Sequence, residues 1–262
     1  MVKAFGFKHA GYRTYEGEYY GCQAKISAWG VPDMNPSSRY EVSITLLNLE
    51  GTRVRLIKTG LHVFPKLYNN SDLRFFISAN DDASRNLACY NMNNCSPAFI
   101  LANSSVALYP GQAVAPLSQY DGEDRSVTLS IRKDVDTELW TLSREDLGTR
   151  SIIGWWEKGI LGDLDNKAEN VQFMAFVAYE NNDTGPTMGS GHYPNKGKNK
   201  AAYMMDLKIW DEEGNDFSPK IFSLIRADDK PDCYRSLPDA DLGVIEVDDH
   251  KFYYGGPAGC RN

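Results

Sequence analysis

Short stretches in which apolar and polar residues alternate recur along the chain, at residues 19–28, 40–49, 54–63, 73–79, 126–132, 171–179 and 201–210. A period of two sends successive side chains to opposite faces of an extended backbone, so each stretch reads as a half-buried strand. Turn signals separate them, among them Val-Pro-Asp-Met-Asn-Pro at 31–36, Tyr-Asp-Gly at 120–122 and Glu-Gly-Asn-Asp at 213–216. One short helix is expected, at residues 155–164, and no repeat of 20 to 50 residues, heptad run or low-complexity linker is visible. Regular strand and turn spacing over the whole length predicts an all-β fold, a sandwich or a barrel, built as one domain over residues 1–262.

Composition strengthens the β reading. Aromatic residues make up 12% of the chain, and such side chains fit a pleated, half-buried surface. The formal net charge of -7 opposes binding to phosphate backbones, whose affinity comes from Lys and Arg displacing counterions, so nucleic acid is not expected as a partner. No apolar run approaches the roughly 18 residues of a membrane span, and no transmembrane segment is expected.

There are five cysteines, Cys22, Cys89, Cys95, Cys233 and Cys260, so at least one thiol stays unpaired. The spacing of Cys89 from Cys95 and of Cys233 from Cys260 suits disulfides, with reduced buried thiols as the alternative. Four Asn-x-Ser/Thr tripeptides, at Asn69, Asn94, Asn103 and Asn182, point the same way, toward a secreted, extracellular or vacuolar protein.

Catalytic and cofactor motifs are sparse. The four histidines, His9, His62, His192 and His250, have no zinc-ligand spacing. The alternating acids at 163–169 put Lys167 at a ligand position and Ala168 where a calcium loop needs its turn glycine. A nucleophile elbow around Ser190 would need glycine at position 188, which is Met188. The stretch Met188-Gly189-Ser190-Gly191-His192 therefore reads as a glycine-rich turn. No metal, nucleotide or other cofactor is expected.

Larger motifs carry a resemblance. Thr-Met-Gly-Ser-Gly-His-Tyr-Pro at 187–194, Lys-Ala-Ala-Tyr at 200–203 and Phe-Tyr-Tyr-Gly-Gly-Pro at 252–257 together resemble the neprosin family. So do Tyr-Tyr-Gly-Cys-Gln-Ala at 19–24, Gly-Leu-His-Val-Phe-Pro-Lys-Leu-Tyr at 60–68, Glu-Leu-Trp-Thr-Leu at 138–142 and Gly-Trp-Trp-Glu-Lys at 154–158. The resemblance implies an antiparallel β-sandwich, a small disulfide loop from Cys89 to Cys95 and a tail disulfide from Cys233 to Cys260, leaving Cys22 as the free thiol. It also implies a plant secreted protein related to a glutamic endopeptidase that cuts after proline at acid pH, with two glutamates across a groove dividing base and acid roles.

Both glutamate positions depart from the pattern. The family's Glu-Ala-Gly-Trp is similar to Lys58-Thr59-Gly60-Leu61 here, and its Trp-Gly-Gly-Glu-Val is similar to Phe173-Met174-Ala175-Phe176-Val177. An ammonium and a phenyl ring stand where two carboxylates are implied. Met174 and Ala175 add side chains to a glycine strand and are expected to narrow the groove floor. Glu180, four residues beyond Phe176, would share its face but lie about 13 Å away at strand rise. Lys58 reads either as a solvated strand residue or as a groove residue paired to an acid. The candidate groove comprises Lys58, His62, Phe176, Met188, Gly189, Ser190, Gly191 and His192.

The expected function is accordingly a non-catalytic extracellular protein that binds a protein, peptide or glycan target, in defence against herbivores or microbes or in the cell wall. The alternatives are an active acid endopeptidase cutting after proline and a carbohydrate-binding protein with Trp155, Trp156 or Trp210 as platforms. Core packing is the preferred reading of those tryptophans.

Overall fold

The computed structural model describes residues 5–32, 34–81, 87–92, 98–103, 106–243 and 247–261. Its strands are β1 Phe5–Arg13, β2 Gly21–Ser27, β3 Arg39–Glu50, β4 Arg53–Val63, β5 Arg74–Asp81, β6 Leu87–Tyr90, β7 Phe99–Leu101, β8 Ser126–Lys133, β9 Trp140–Arg144, β10 Ser151–Trp156, β11 Asn170–Glu180, β12 Ala202–Trp210, β13 Asp216–Phe217, β14 Ile225–Arg226, β15 Arg235–Pro238 and β16 Phe252–Gly255. All seven alternating stretches of the sequence fall on strands, with ends shifted by a few residues. The strands form two antiparallel sheets. One has seven strands in the order β14-β1-β11-β3-β4-β5-β6; the other has nine, in the order β15-β16-β12-β2-β8-β9-β10-β7, with β13 on β12.

Alternation explains how the sheets face each other. In β3, Tyr40, Val42, Ile44 and Leu46 are fully buried, and Val171, Phe173, Ala175, Val177 and Tyr179 of β11 match them. Cys22, Ala24 and Ile26 of β2 and Leu129 and Ile131 of β8 come from the opposing sheet into the same apolar cluster. A hydrogen bond of 3.0 Å between the hydroxyls of Tyr40 and Tyr254 crosses that core. The unpaired Cys22 thiol lies wholly within it, where burial pushes its pKa up.

The helix expected at 155–164 is not there. Residues 151–156 are β10, held between β9 and β7, and only a 3-10 turn at Gly162–Asp165 follows. Apolar residues come too densely here to reveal a period, and a register shift between Ile152 and Gly154 breaks the alternation. Trp156 is buried against Phe99, with ring centroids 4.9 Å apart. Trp140 Nε1 donates to the Leu164 carbonyl at 2.7 Å and pins the turn.

Cys233 and Cys260 form a disulfide. Beside it, the Gly185 N–H donates to the Cys260 carbonyl and the Gly259 N–H to the Gly185 carbonyl, so the tail is strapped to the loop after β11. Cys89 is also disulfide-bonded, whereas its expected partner Cys95 lies outside the described residues, as does Asn94. For a sequence separation of 27, the chain-entropy account gives the tail disulfide roughly 3.6 kcal/mol. The Cys233→Ser/Cys260→Ser variant should therefore unfold at clearly lower urea concentration; an unchanged midpoint would show that the backbone strap alone holds the tail.

Candidate functional site

The outer face of the seven-stranded sheet is organised in cross-strand rows. One row runs His9, Phe176, Glu41, His62 and Arg74 across β1, β11, β3, β4 and β5. A second, nearer the sheet's other end, contains Arg13, Gln172, Thr45, Lys58 and Ser78. Between them lies a row with Gly11, Met174, Ser43, Gly60 and Phe76. Gly60 is there because β3 and β4 approach closely: a Cβ would stand 2.0 Å from the Val42 carbonyl oxygen. Lys58 thus shares a face with Glu41 and reaches it past a position bearing no side chain.

Lys58 Nζ lies 2.5 Å from Glu41 Oε1, which decides between the two readings of Lys58 in favour of the paired one. Arg39 Nη2 is 3.7 Å from Glu41 Oε2, too far for a hydrogen bond. The Glu41 side chain is only 2% exposed. Burial alone would push its carboxyl pKa up, but the charges of Lys58 and Arg39, with the Lys58 hydrogen bond, outweigh burial and hold it below the usual carboxylate range.

His62 is fully buried beside this pair, its ring stacked on Phe76 at 4.8 Å. Its Nδ1 lies 2.5 Å from the Tyr90 hydroxyl and its Nε2 3.3 Å from that of Tyr68. Asn91 holds Tyr68 in place: its Oδ1 accepts from the Ile77 N–H, and its Nδ2 donates to the Tyr68 hydroxyl. Burial lowers the His62 pKa to about 3, with the cations of Arg39, Lys58 and Arg74 adding to burial and Glu41 opposing it. The imidazole is therefore neutral over the physiological range.

Phe176 is packed into a ring cluster. It stacks on Phe7 with centroids 5.7 Å apart, lies 5.2 Å from the His9 ring, and carries the Arg39 guanidinium 4.9 Å above its centroid. The two substitutions expected to narrow the floor divide. Met174 lies on the outer face, whereas Ala175 points into the core, so only Met174 adds bulk to the groove.

Lys58, His62 and Phe176 thus come together, but the Met188–His192 loop does not join them. Met188 is buried in the core and bridges to Gly256. Gly189 and Gly191 have φ of 64° and 80°, the left-handed turn that their residue type allows. Ser190 Oγ donates to the Lys200 carbonyl at 2.7 Å, and His192 packs on Tyr120. Ser190 and Gly191 line a separate cavity of about 470 Å³, with Val31, Pro32 and Pro186. Near 163–169, Asp165 accepts from the backbone N–H groups of Gly159 and Leu161, and Asp163 pairs with Arg55. Among the described residues no group of three or more His, Cys, Asp or Glu side chains could hold a metal. Trp156 and Trp210 are buried, which favours core packing for those two over an exposed sugar platform, whereas Trp155 is half-buried.

The Neprosin family model matches residues 39–257. The chain belongs to the Neprosin family. Among solved structures, scytalido-glutamic peptidase with a peptide-based transition-state analogue aligns over 97% of this chain and 100% of its own, at TM-score 0.48 and 9% identity. SCP-B, an Eqolisin-family peptidase in complex with the tripeptide Ala-Ile-His, aligns over 96% and 98%, at TM-score 0.44 and 8% identity.

The sequence motifs do not mark Phe7, His9, Arg39 and Glu41, which organise this Neprosin face together with Tyr68 of the 60–68 motif and Tyr90 of the implied Cys89–Cys95 loop. The signal for Glu41 is nonetheless present in the chain. A charged residue interrupting the apolar positions of a central strand marks the face opposite the core.

Proposed function

We propose that this chain is a non-catalytic member of the Neprosin family, a single-domain protein that acts by binding through the outer face of its seven-stranded sheet. One observation carries the reading. The carboxylate beside the implied catalytic positions, Glu41, is buried and ion-paired to Lys58, and the second position is a phenyl ring packed among Phe7, His9 and Arg39. A general base needs an accessible lone pair and a pKa near the working pH. Glu41 is held ionised by two cations with little exposure, and Phe176 can neither donate nor accept a proton. The tail disulfide and the exposed sequon positions Asn69 and Asn182 support an oxidising, secretory compartment.

The test is digestion of a proline-rich peptide mixture between about pH 2.5 and 7, read by mass spectrometry. A Neprosin peptidase serves as positive control and its variant with both catalytic glutamates changed to glutamine as negative control. The expected result is no cleavage above the negative control; cleavage after proline would overturn the reading.

A further inference from the structure

Beside the Glu41 row, the next row places Phe7 of β1, Ala178 of β11 and Arg39 of β3 in register, with Phe64 directly after β4. The small Ala178 leaves a hole in the sheet surface between larger neighbours. The result is a cleft of about 190 Å³ lined by Phe5, Phe7, Arg39, Phe64, Lys66 and Ala178, with Ser37 at its edge. Three phenyl rings and Ala178 make its walls apolar, and its two charged members are both cations, while Glu180 stands in register with Phe5 and Asp183 accepts from Ser37 Oγ.

Arg39, Glu41 and Lys58 form a cluster with one more positive than negative charge, and burial keeps His62 neutral. A guanidinium offers five N–H donors; Arg39 bonds to the Tyr90 hydroxyl, while its Nε is buried without an acceptor and its Nη2 is beyond hydrogen-bond reach of Glu41. A quarter of the Arg39 side chain, 24%, remains exposed. Within a chain of net charge -7, the two cations of the lining, Arg39 and Lys66, give an anion its point of attachment. Apolar walls favour a flat hydrophobic body over a bare ion or a polyol. Sites for drug-sized ligands run about 300–1,000 Å³, so this smaller cleft suits a single ring.

We propose that the Phe7–Ala178–Arg39–Phe64 cleft binds a small aromatic monocarboxylate, its ring between the phenyl walls and its carboxylate on the Arg39 guanidinium. Lys66 stands at the rim as a second positive charge. This rests on the binding reading above and names the ligand class for the same face.

The test is calorimetric titration of the full chain with cinnamate and benzoate, using cinnamamide as the uncharged analogue and acetate as the ringless one. Saturable binding of at least one aromatic acid is expected, weakening with salt and at least tenfold weaker for the amide and for acetate. Ala178→Leu, which fills the floor, should abolish binding while leaving the melting temperature nearly unchanged; Phe7→Ala should weaken it at least threefold. Arg39→Gln should lose the preference for acid over amide. If that variant fails to fold, the analogue series and Ala178→Leu still decide. No saturable binding, equal affinity for acid and amide, or no effect of Ala178→Leu would overturn the proposal. A peptide ending in phenylalanine that binds more than tenfold tighter than cinnamate would overturn it in favour of a chain terminus. Because the titration contains no cleavable peptide, its failure leaves the non-catalytic reading standing, and peptide cleavage would sink that reading whatever the titration shows.

Discussion

Replacing Glu41 with glutamine should lower the unfolding free energy by about 3 kcal/mol, one of the largest effects expected of a single substitution on this face. The carboxylate is 2% exposed, and its partners Lys58 and Arg39 are only 20% and 24% exposed. Neutralising it leaves two like charges facing each other in a poorly solvated place. Removing one partner of a buried pair commonly costs about 3–5 kcal/mol, and the partial exposure of both cations sets the value at the low end. Urea unfolding of the single variant measures the loss. A Glu41→Leu/Lys58→Met double variant should recover most of it, since an apolar pair of similar volume needs no desolvated charge. A loss below about 1 kcal/mol for Glu41→Gln would mean that the pair behaves as a solvated surface bridge. The same pair bears on Lys58→Glu, the substitution that places a carboxylate at the position the family motif implies. It would remove the ammonium from Glu41 and set a second carboxylate beside it, raising the pKa of one of them.

Much of this arrangement is legible in the chain, and the register of one hairpin shows how. β3 and β4 meet at Glu50 and Arg53 across a two-residue turn, and in-register partners then run back to Thr45 with Lys58 and Glu41 with His62. The alternation in β3 and β4 puts Glu41, His62 and Lys58 together on the outer face. The family motifs mark positions 58 and 176 separately and carry nothing at residue 41, which sits between them on a different strand. β1 is hidden in the sequence because both of its faces carry aromatic rings: Phe5 and Phe7 face outward while Tyr12 faces the core, which masks a period of two. In β12 the register shifts between Met205 and Lys208, and Asp206 adopts φ of 52°. Such a bulge moves the buried parity from Met204 to Leu207 and blurs the pattern without ending the strand. The Met188–His192 loop was expected in the groove on the strength of the family motif, which reports that a turn is shared and not which sheet it packs on.

Acid should destabilise the fold through His62, and the size of the effect follows from its burial. In the unfolded chain this imidazole takes a proton near its ordinary 6.5, whereas in the folded protein burial delays that to about 3. Between these values the unfolded state binds the extra proton, so stability falls as pH drops from about 6.5 toward 3 and is unaffected by this group above that window. At about 1.4 kcal/mol for each pH unit separating the two values, the contribution reaches at most about 5 kcal/mol. Glu41 acts in the same direction lower down: its pKa is depressed by its two cations, so the stability it adds is present above the ordinary carboxylate range and is lost as pH falls through its folded value. The decisive comparison is the pH dependence of the urea midpoint for the natural chain and for His62→Gln, which cannot titrate but can still hydrogen-bond to Tyr90 and Tyr68. The variant should be less stable at pH 7, where it loses the stacking on Phe76, yet show a clearly shallower decline between pH 6.5 and 3. Parallel declines would mean that His62 reaches water and a proton without unfolding. A shallower decline would place the limit of acid tolerance in the buried histidine of this outer face, which keeps its packing only while that ring is neutral.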